Sequence, residues 1–210
     1  PHTSSPSSTT DVPGGRIGCT QVLCTPKAKK FLISLLDIAP ERFQEVSDGE
    51  NLELGGKTLQ FIHTPWVHWP ETMVTYLKED KILFSCDFFG SHLAQSDLFV
   101  TDECKVIEAA KRYYAEIMMP FRKPFIQNNI EKLSALEIMI IAPSHGPIYN
   151  NPRLILDAYK DWISDTPKNS VVLPYISMHG STKMMVDRLV SRLSEQGVSV
   201  HQFDLAGTDI

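Results

Sequence analysis

The stretch from Ser170 onward constrains the fold most. "SVVLPYI" reads as a strand, "SMHGST" as a loop, "TKMMVDRLVSRLSEQG" as a helix ended by Gly197, and "VSVHQFDL" as a second strand. Strands joined through a helical crossover pair in parallel. Parallel sheets are covered on both faces, and one such unit covers only one. The polar run "SDTPKNS" just before it breaks the pattern as a linker does. Two domain types are therefore expected: residues 21–166, and an incomplete second domain over residues 167–210.

Residues 1–20 are rich in Ser, Thr, Pro and Gly and read as an irregular segment. The style changes at Gln21. "QVLCT" is a short strand, and "PKAKKFLISLLDI" is a helix opened by Pro26 at a favoured first-turn position. "NLELGGKTLQFIHT" alternates around Gly55 and Gly56, a hairpin signal. A second hairpin comes next, with "TMVTYL" and "KILFSC" as strands and "KED" as the turn. Residues 104–119 and 124–135 carry helical spacing interrupted by Pro120 and Pro124. "EIMIIAP" is a buried-type strand, and residues 152–163 read as a helix.

Composition narrows the function classes. The formal net charge of −5, without a long basic run, argues against a nucleic-acid or anionic-membrane partner. No apolar run approaches the roughly 20 residues of a membrane-spanning helix. No signal peptide is visible, which points to the cytoplasm. Cys19, Cys24, Cys86 and Cys104 form no Cys-x-x-Cys pair, so reduced thiols are expected rather than a zinc knuckle or a redox centre.

The second hairpin makes a geometric prediction. The outer ends of its two strands lie together, so His68, just before the first strand, and Asp87, just after the second, should share one sheet edge. His145 also comes directly after a strand, in "APSHGP". Loops at strand ends are where α/β proteins build sites. Two imidazoles and a carboxylate suit zinc, iron or manganese, and a carboxylate can bridge two ions. Taken singly, each residue has an ordinary explanation: a histidine packed in an aromatic loop, or an aspartate bonded to loop amides. In "TPWVHWPETM", Pro65 and Pro70 restrict the backbone, and Trp66 and Trp69 are expected to pack around the His68 imidazole. His63 reads as a partly buried strand residue. His92, in "FGSH", reads as a residue that orients a ligand.

A second constellation is Ser177, Met178, His179, Gly180, Ser181 and Thr182, between a strand and a helix. Successive amides and a helix N-terminus suit an anion. The hydroxyls of Ser177, Ser181 and Thr182 can donate to phosphate oxygens, and Gly180 allows close backbone approach. Neither Gly-x-x-x-x-Gly-Lys nor Gly-x-Gly-x-x-Gly is present, so a terminal phosphomonoester such as that of FMN fits better than a triphosphate or a dinucleotide. An ordinary capped strand-to-helix turn accounts for the pattern equally well.

"HWPETMVTYL", "ILFSCDFFGSH", "APSHGPIY" and "YISMHGST", in that order, resemble the flavodiiron (A-type flavoprotein) family from about Gln21 to the end. The wording is similar to methanogen-type members that oxidise a reduced deazaflavin coenzyme. The resemblance implies an α/β fold: a partial metallo-β-lactamase-like αββα sandwich, then the first βαβ unit of a flavodoxin-like domain. It implies two non-haem irons, with His68 on one, His145 on the other and Asp87 bridging. It implies FMN, with its phosphate held by Ser177 to Thr182 and His179 near the flavin. The implied activity is an oxidoreductase that reduces dioxygen to water or nitric oxide to nitrous oxide. The implied donor is a reduced deazaflavin coenzyme or a small electron-transfer protein, and the implied assembly a head-to-tail homodimer.

One departure stands out. The family's upstream His-x-Glu-x-Asp-His block should fall near the start, where "PHTSSPSS" stands instead. His2 can match its first histidine, but Ser4, Pro6 and Ser7 occupy the places of Glu, Asp and His. The expectation is a chain truncated at both ends, or one whose first segment is frame-shifted. The alternatives are a zinc hydrolase of the metallo-β-lactamase type and a non-catalytic remnant.

Overall fold

A computed structural model describes residues 21–36 and 38–207 of the chain. The described residues form two compact units, one ending at Ser164 and the other starting at Asp165. The irregular segment expected over residues 1–20, with Cys19, His2, Ser4, Pro6 and Ser7, lies outside the described residues.

The first unit opens with β1 (Val22–Cys24) and α1 (Pro26–Leu35). The Thr25 side chain accepts from the Ala28 amide and caps α1, with Pro26 at the first position. β2 (Phe43–Glu45) pairs with β1 in parallel, a strand not anticipated in "PERFQEV". A five-stranded sheet comes next, in the order β3-β4-β5-β6-β7. β3 (Asn51–Glu53) and β4 (Thr58–His63) form the expected hairpin, with Gly55 and Gly56 at φ 67° and 112°, where side chains are strained. β5 (Met73–Leu77) and β6 (Ile82–Cys86) form the second hairpin, with Tyr76 opposite Leu83.

β7 (Ile140–Pro143) lies parallel to the other edge of β6 and begins later than the apolar run suggested. α2 (Glu103–Tyr113) is capped by the Asp102 side chain, which accepts from Lys105 N. It runs on through wide and tight turns around Pro120, is interrupted at Lys123, whose backbone is extended (φ −129°, ψ 137°) before Pro124, and resumes toward Ile126; neither proline can supply a helix amide. α3 (Gln127–Leu133) and α4 (Pro152–Ile163) complete a helical layer. Alternating residues of β5 and β6 (Val74, Tyr76, Leu83) and Ile141 of β7 pack with Val106, Met118, Ile130, Ile155 and Tyr159 in one core.

The second unit contains β8 (Ser170–Tyr175), α5 (Ser181–Glu195) and β9 (Ser199–Asp204), with β8 parallel to β9. Val186 is its one buried apolar side chain among the described residues. Among the described residues, no helix is long and apolar enough to cross a membrane.

A polar clip closes the far end of β4. Asp48 accepts from the His63 amide at 2.8 Å, and its two carboxylate oxygens accept from Lys132 Nζ at 2.8 and 2.6 Å. Burial alone would raise the Asp48 carboxyl, but the hydrogen bonds from Lys132 and the His63 amide, with the Lys132 charge, hold it below its ordinary value. A depressed carboxyl contributes stability above its unfolded value, about 3.9, and loses it as pH falls through the lower folded value. Asp48→Asn should therefore unfold more easily than the parent at neutral pH, with the difference closing as pH drops below the ordinary carboxylate range. Melting curves against pH check this; a gap independent of pH would contradict it.

Candidate metal centre

Three loops at one edge of the five-stranded sheet carry the predicted donors. Residues 64–72 connect β4 to β5 and contain His68. Thr64 N donates to Thr72 O at 2.9 Å, and Trp66 N to Trp69 O at 2.8 Å, so the loop is closed by its own backbone. Val67, within the loop, is fully buried. The structure corrects the expected packing of the two tryptophans. Trp66, at φ 65°, stacks on Phe121 and leans on Phe125, with ring centroids 5.8 and 5.7 Å apart. Lys27 Nζ lies 5.6 Å from the Trp66 ring, a cation–π contact. Only Trp69 stands beside His68, at 5.9 Å, and it is largely exposed. Trp66 anchors the loop rather than walling the imidazole.

Asp87 comes after β6 in a tight turn. Phe88 N donates to Ser85 O at 3.0 Å, and Gly90 N to Asp87 O at 3.2 Å. Ser85 Oγ adds a bond to Phe88 O at 2.7 Å. Phe88 and Phe89 are fully buried and stacked, with centroids 3.9 Å apart, both edge-on to Tyr159. Burying this pair fixes the turn and leaves the Asp87 carboxylate at its rim.

His145 comes after β7. Ser144 N donates to Cys86 O at 2.7 Å, tying the two loops together. Ile141 and Tyr149 exchange backbone bonds of 3.0 and 2.9 Å, closing the loop that holds His145. Ser91 N donates to His145 O at 3.1 Å.

The three side chains converge. His68 Nε2 lies 3.4 Å from Asp87 Oδ2, and His145 Nε2 lies 3.2 Å from Asp87 Oδ1. Each imidazole thus faces its own carboxylate oxygen. Donors 3.2 to 3.4 Å apart can both lie about 2.1 Å from one ion, so each side of Asp87 fits half of a metal position. Among the described residues, no three His, Cys, Asp or Glu side chains gather as a set for a single ion. The arrangement is a bridge with one imidazole at each end rather than a closed cage. Its donor chemistry fits a pair of divalent ions that complete their coordination from other groups.

His92 packs edge-on to Tyr113 at 4.8 Å and to His145 at 5.9 Å, so it supports His145 through ring packing. His63 Nε2 faces Val46 O at 3.0 Å, a structural role. Sequence reading missed Tyr113, whose ring lies 6.2 Å from His145. Burial, and then the Asp87 charge, push its phenol well above the usual range, so it stays neutral beside the site. It also missed two glycines. A Cβ on Gly90 would meet Asp87 O at 3.1 Å and His145 Cβ at 3.4 Å, and one on Gly146 would meet Ser91 Oγ at 2.1 Å. Their only signal in the sequence is position, each within three residues of a donor; the contacts themselves join distant loops.

In the second unit, Ser177 to Gly180 form the turn between β8 and α5, and Ser181 and Thr182 open the helix. Gly180 adopts φ 82°. Ser177 Oγ accepts from Lys183 N at 3.2 Å, so it caps α5, and its hydroxyl proton remains available to an acceptor. Met178, His179, Ser181 and Thr182 are exposed. The turn has the residue types and the open helix N-terminus that suit a phosphate.

A family profile described as "ODP family beta lactamase" matches residues 16–146. The chain belongs to this ODP beta-lactamase family. Its homologues are flavodiiron proteins. It is 37% identical over 194 residues to a reduced coenzyme F420 oxidase from Methanothermobacter marburgensis, covering 90% of this chain and 48% of that one. It is 34% identical to an anaerobic nitric oxide reductase flavorubredoxin from Aeromonas salmonicida, covering 92% of this chain and 39% of that one. Among solved structures it superposes on a flavo di-iron protein variant from Thermotoga maritima with a TM-score of 0.76 at 32% identity, covering 90% of this chain and 48% of that one. It superposes on the rubredoxin oxygen:oxidoreductase of Desulfovibrio gigas with a TM-score of 0.80 at 28% identity, with the same coverage. The chain spans about half the length of the curated relatives it matches. The ODP match and these superpositions establish the metallo-β-lactamase-like fold of the first unit.

Gly146→Ala tests the interlock at His145. The new Cβ meets Ser91 Oγ at 2.1 Å in a left-handed backbone of φ 83°. Overpacking of this kind costs about 1–3 kcal/mol, so the melting temperature should fall. Adding Ser91→Gly should restore part of the loss, because Ser91 O, at 2.9 Å, still opposes the Cβ. An unchanged melting temperature for the single variant would refute the interlock.

Proposed function

We propose that this chain is the metal-binding part, with the start of the flavin-binding part, of a flavodiiron oxidoreductase that reduces dioxygen to water, nitric oxide to nitrous oxide, or both. The observation that carries the reading is the Asp87 carboxylate with one histidine at each oxygen. His68 would hold one iron and His145 the other through neutral Nε2, which places the ring proton on Nδ1 in both. Asp87 would bridge them and bring one negative charge to both ions. Two irons bound there would each supply one electron and one coordination position, so that one-electron products need not be released.

The protein's own groups set the surroundings. Phe88 and Phe89 hold Asp87 at the rim of a dry, packed turn. Tyr113 remains a neutral phenol beside His145 and adds no charge to the site. Trp69 gives His68 an aromatic neighbour. Ser177, Met178, His179, Gly180, Ser181 and Thr182 would hold the phosphate of FMN, with the amides at the start of α5 as donors. FMN would supply the step between a two-electron donor and one-electron acceptors.

The names of the relatives suggest the partners: a reduced deazaflavin coenzyme or a rubredoxin-like carrier as donor, and dioxygen or nitric oxide as acceptor. A head-to-tail homodimer in the cytoplasm completes the reading.

Purification under anaerobic conditions with iron and FMN supplied tests it. The parent protein should carry iron and flavin absorbance and consume dioxygen or nitric oxide when a reduced donor is added. Asp87→Asn should lose most of the iron and the activity while keeping the flavin. Bound zinc with esterase activity and no flavin would favour the hydrolase instead. Neither metal nor flavin would mark a non-catalytic remnant.

A further inference from the structure

We infer that Asn129 and Lys132, one turn apart on α3, are positioning residues that hold the His68 loop opposite Asp87. The inference rests on the metal reading of His68 above. It starts from an accounting of backbone groups where the loop leaves β4. Backbone polar groups turned away from water need partners, and four of those at this stem have one that can be named. His63 N donates to Asp48 at 2.8 Å, and His63 O accepts from Lys132 Nζ at 2.9 Å. Thr64 N donates to Thr72 O at 2.9 Å. Pro65 has no N–H, and its carbonyl accepts from Asn129 Nδ2 at 3.2 Å. The carbonyls on either side of Thr64 are thus both gripped by α3, through positions i and i+3 on one helix face.

The two residues differ in how strongly the site depends on them. Asn129 is 5% exposed, and a buried amide without its acceptor is costly. Lys132 is more exposed, but its ammonium serves three acceptors, Asp48 Oδ1, Asp48 Oδ2 and His63 O. Through Asp48 it reaches the His63 amide as well. The far end of the loop is held from elsewhere, by Thr25 Oγ1 donating to Glu71 O at 3.1 Å. Without the α3 contacts, the stem before His68 keeps the Asp48 bond to the His63 amide, the loop's internal bonds and the Trp66 stack, but neither carbonyl beside Thr64 is held from outside the loop. The imidazole then loses its fixed place against Asp87 Oδ2.

Amide exchange on the whole chain tests this, read together with Co(II) as the metal probe. In Lys132→Met and in Asn129→Ala, protection of the Thr64 and Trp66 amides should fall at least about tenfold, the scale of one lost hydrogen bond to a charged or buried group. Amides of β6 and α4 should keep theirs. Co(II) should bind roughly 10- to 100-fold more weakly, with a changed visible absorption band. Lys132→Arg, which can still bond Asp48 and His63 O, should restore both readouts. Unchanged exchange at Thr64 and Trp66 would overturn the inference, as would an equal loss across β6, α4 and the loop, because the effect would then be general destabilisation. A parent protein that binds no Co(II) but shows the local exchange change would sink the metal reading and still support the clamp.

Discussion

The site depends on the place of β6 in the sheet. It lies between β5 and β7, antiparallel to one and parallel to the other. Its C-terminal end therefore shares an edge with the start of β5 and the end of β7. Asp87 comes after β6, His68 precedes β5 and His145 comes after β7, so strand order alone brings the three loops together. The pairing must also be in register. Side chains alternate faces along a strand, and a slip of one residue would turn Leu83 and Ser85 out of the core. The β6–β7 ladder shifts register between Phe84 and Cys86, at the point where the strand gives way to the Asp87 turn. Such an irregularity ends regular pairing and turns the chain toward a new direction.

The half of this geometry that is local was legible in the sequence. "TMVTYL" and "KILFSC" alternate, with a polar turn between, so the hairpin and the proximity of His68 to Asp87 could be read from the pattern. His145 could be placed only at the end of some strand. That β7 lies beside β6 is a non-local pairing across the whole α2–α3 region, and nothing in "EIMIIAP" names its neighbour. The same holds for β2, too short to announce itself, which is a strand because β1 lies next to it. The Trp66 contacts were illegible for a related reason. Phe121 and Phe125 sit in the irregular stretch made by Pro120 and Pro124, and local pattern gives no direction for an aromatic ring in a loop. The glycine contacts with Ser91 and His145 likewise exist only once two distant loops meet.

The two candidate sites are built on different footings. Around Asp87 the supports are buried: the Phe88–Phe89 stack, Val67 and Tyr159 are fully enclosed. Protein interiors are packed closely enough that a displaced ring is felt by its neighbours. The phosphate-type turn in the second unit stands on α5, which buries Val186 alone, and Met178, Met184 and Met185 are mostly exposed. The core holds Asp87 in place. The turn of Ser177 to Thr182 is shaped mainly by local bonding: the left-handed Gly180 and the Ser177 cap on Lys183.

This difference bears on how metal affinity could arise at a bridge with few donors. A loop that orders only when an ion binds subtracts its ordering entropy, about 1–2 kcal/mol for each backbone residue fixed, from the affinity. The His68 loop is held by protein contacts of its own. Its stem is bonded to α3 and Asp48, its Trp66 is stacked on two phenylalanines, and Val67 is buried. Folding of the first unit's core therefore meets that entropic cost, and the imidazole meets Asp87 already oriented. On the proposed reading, ligands that join either side of Asp87 would not also have to organise His68 or His145.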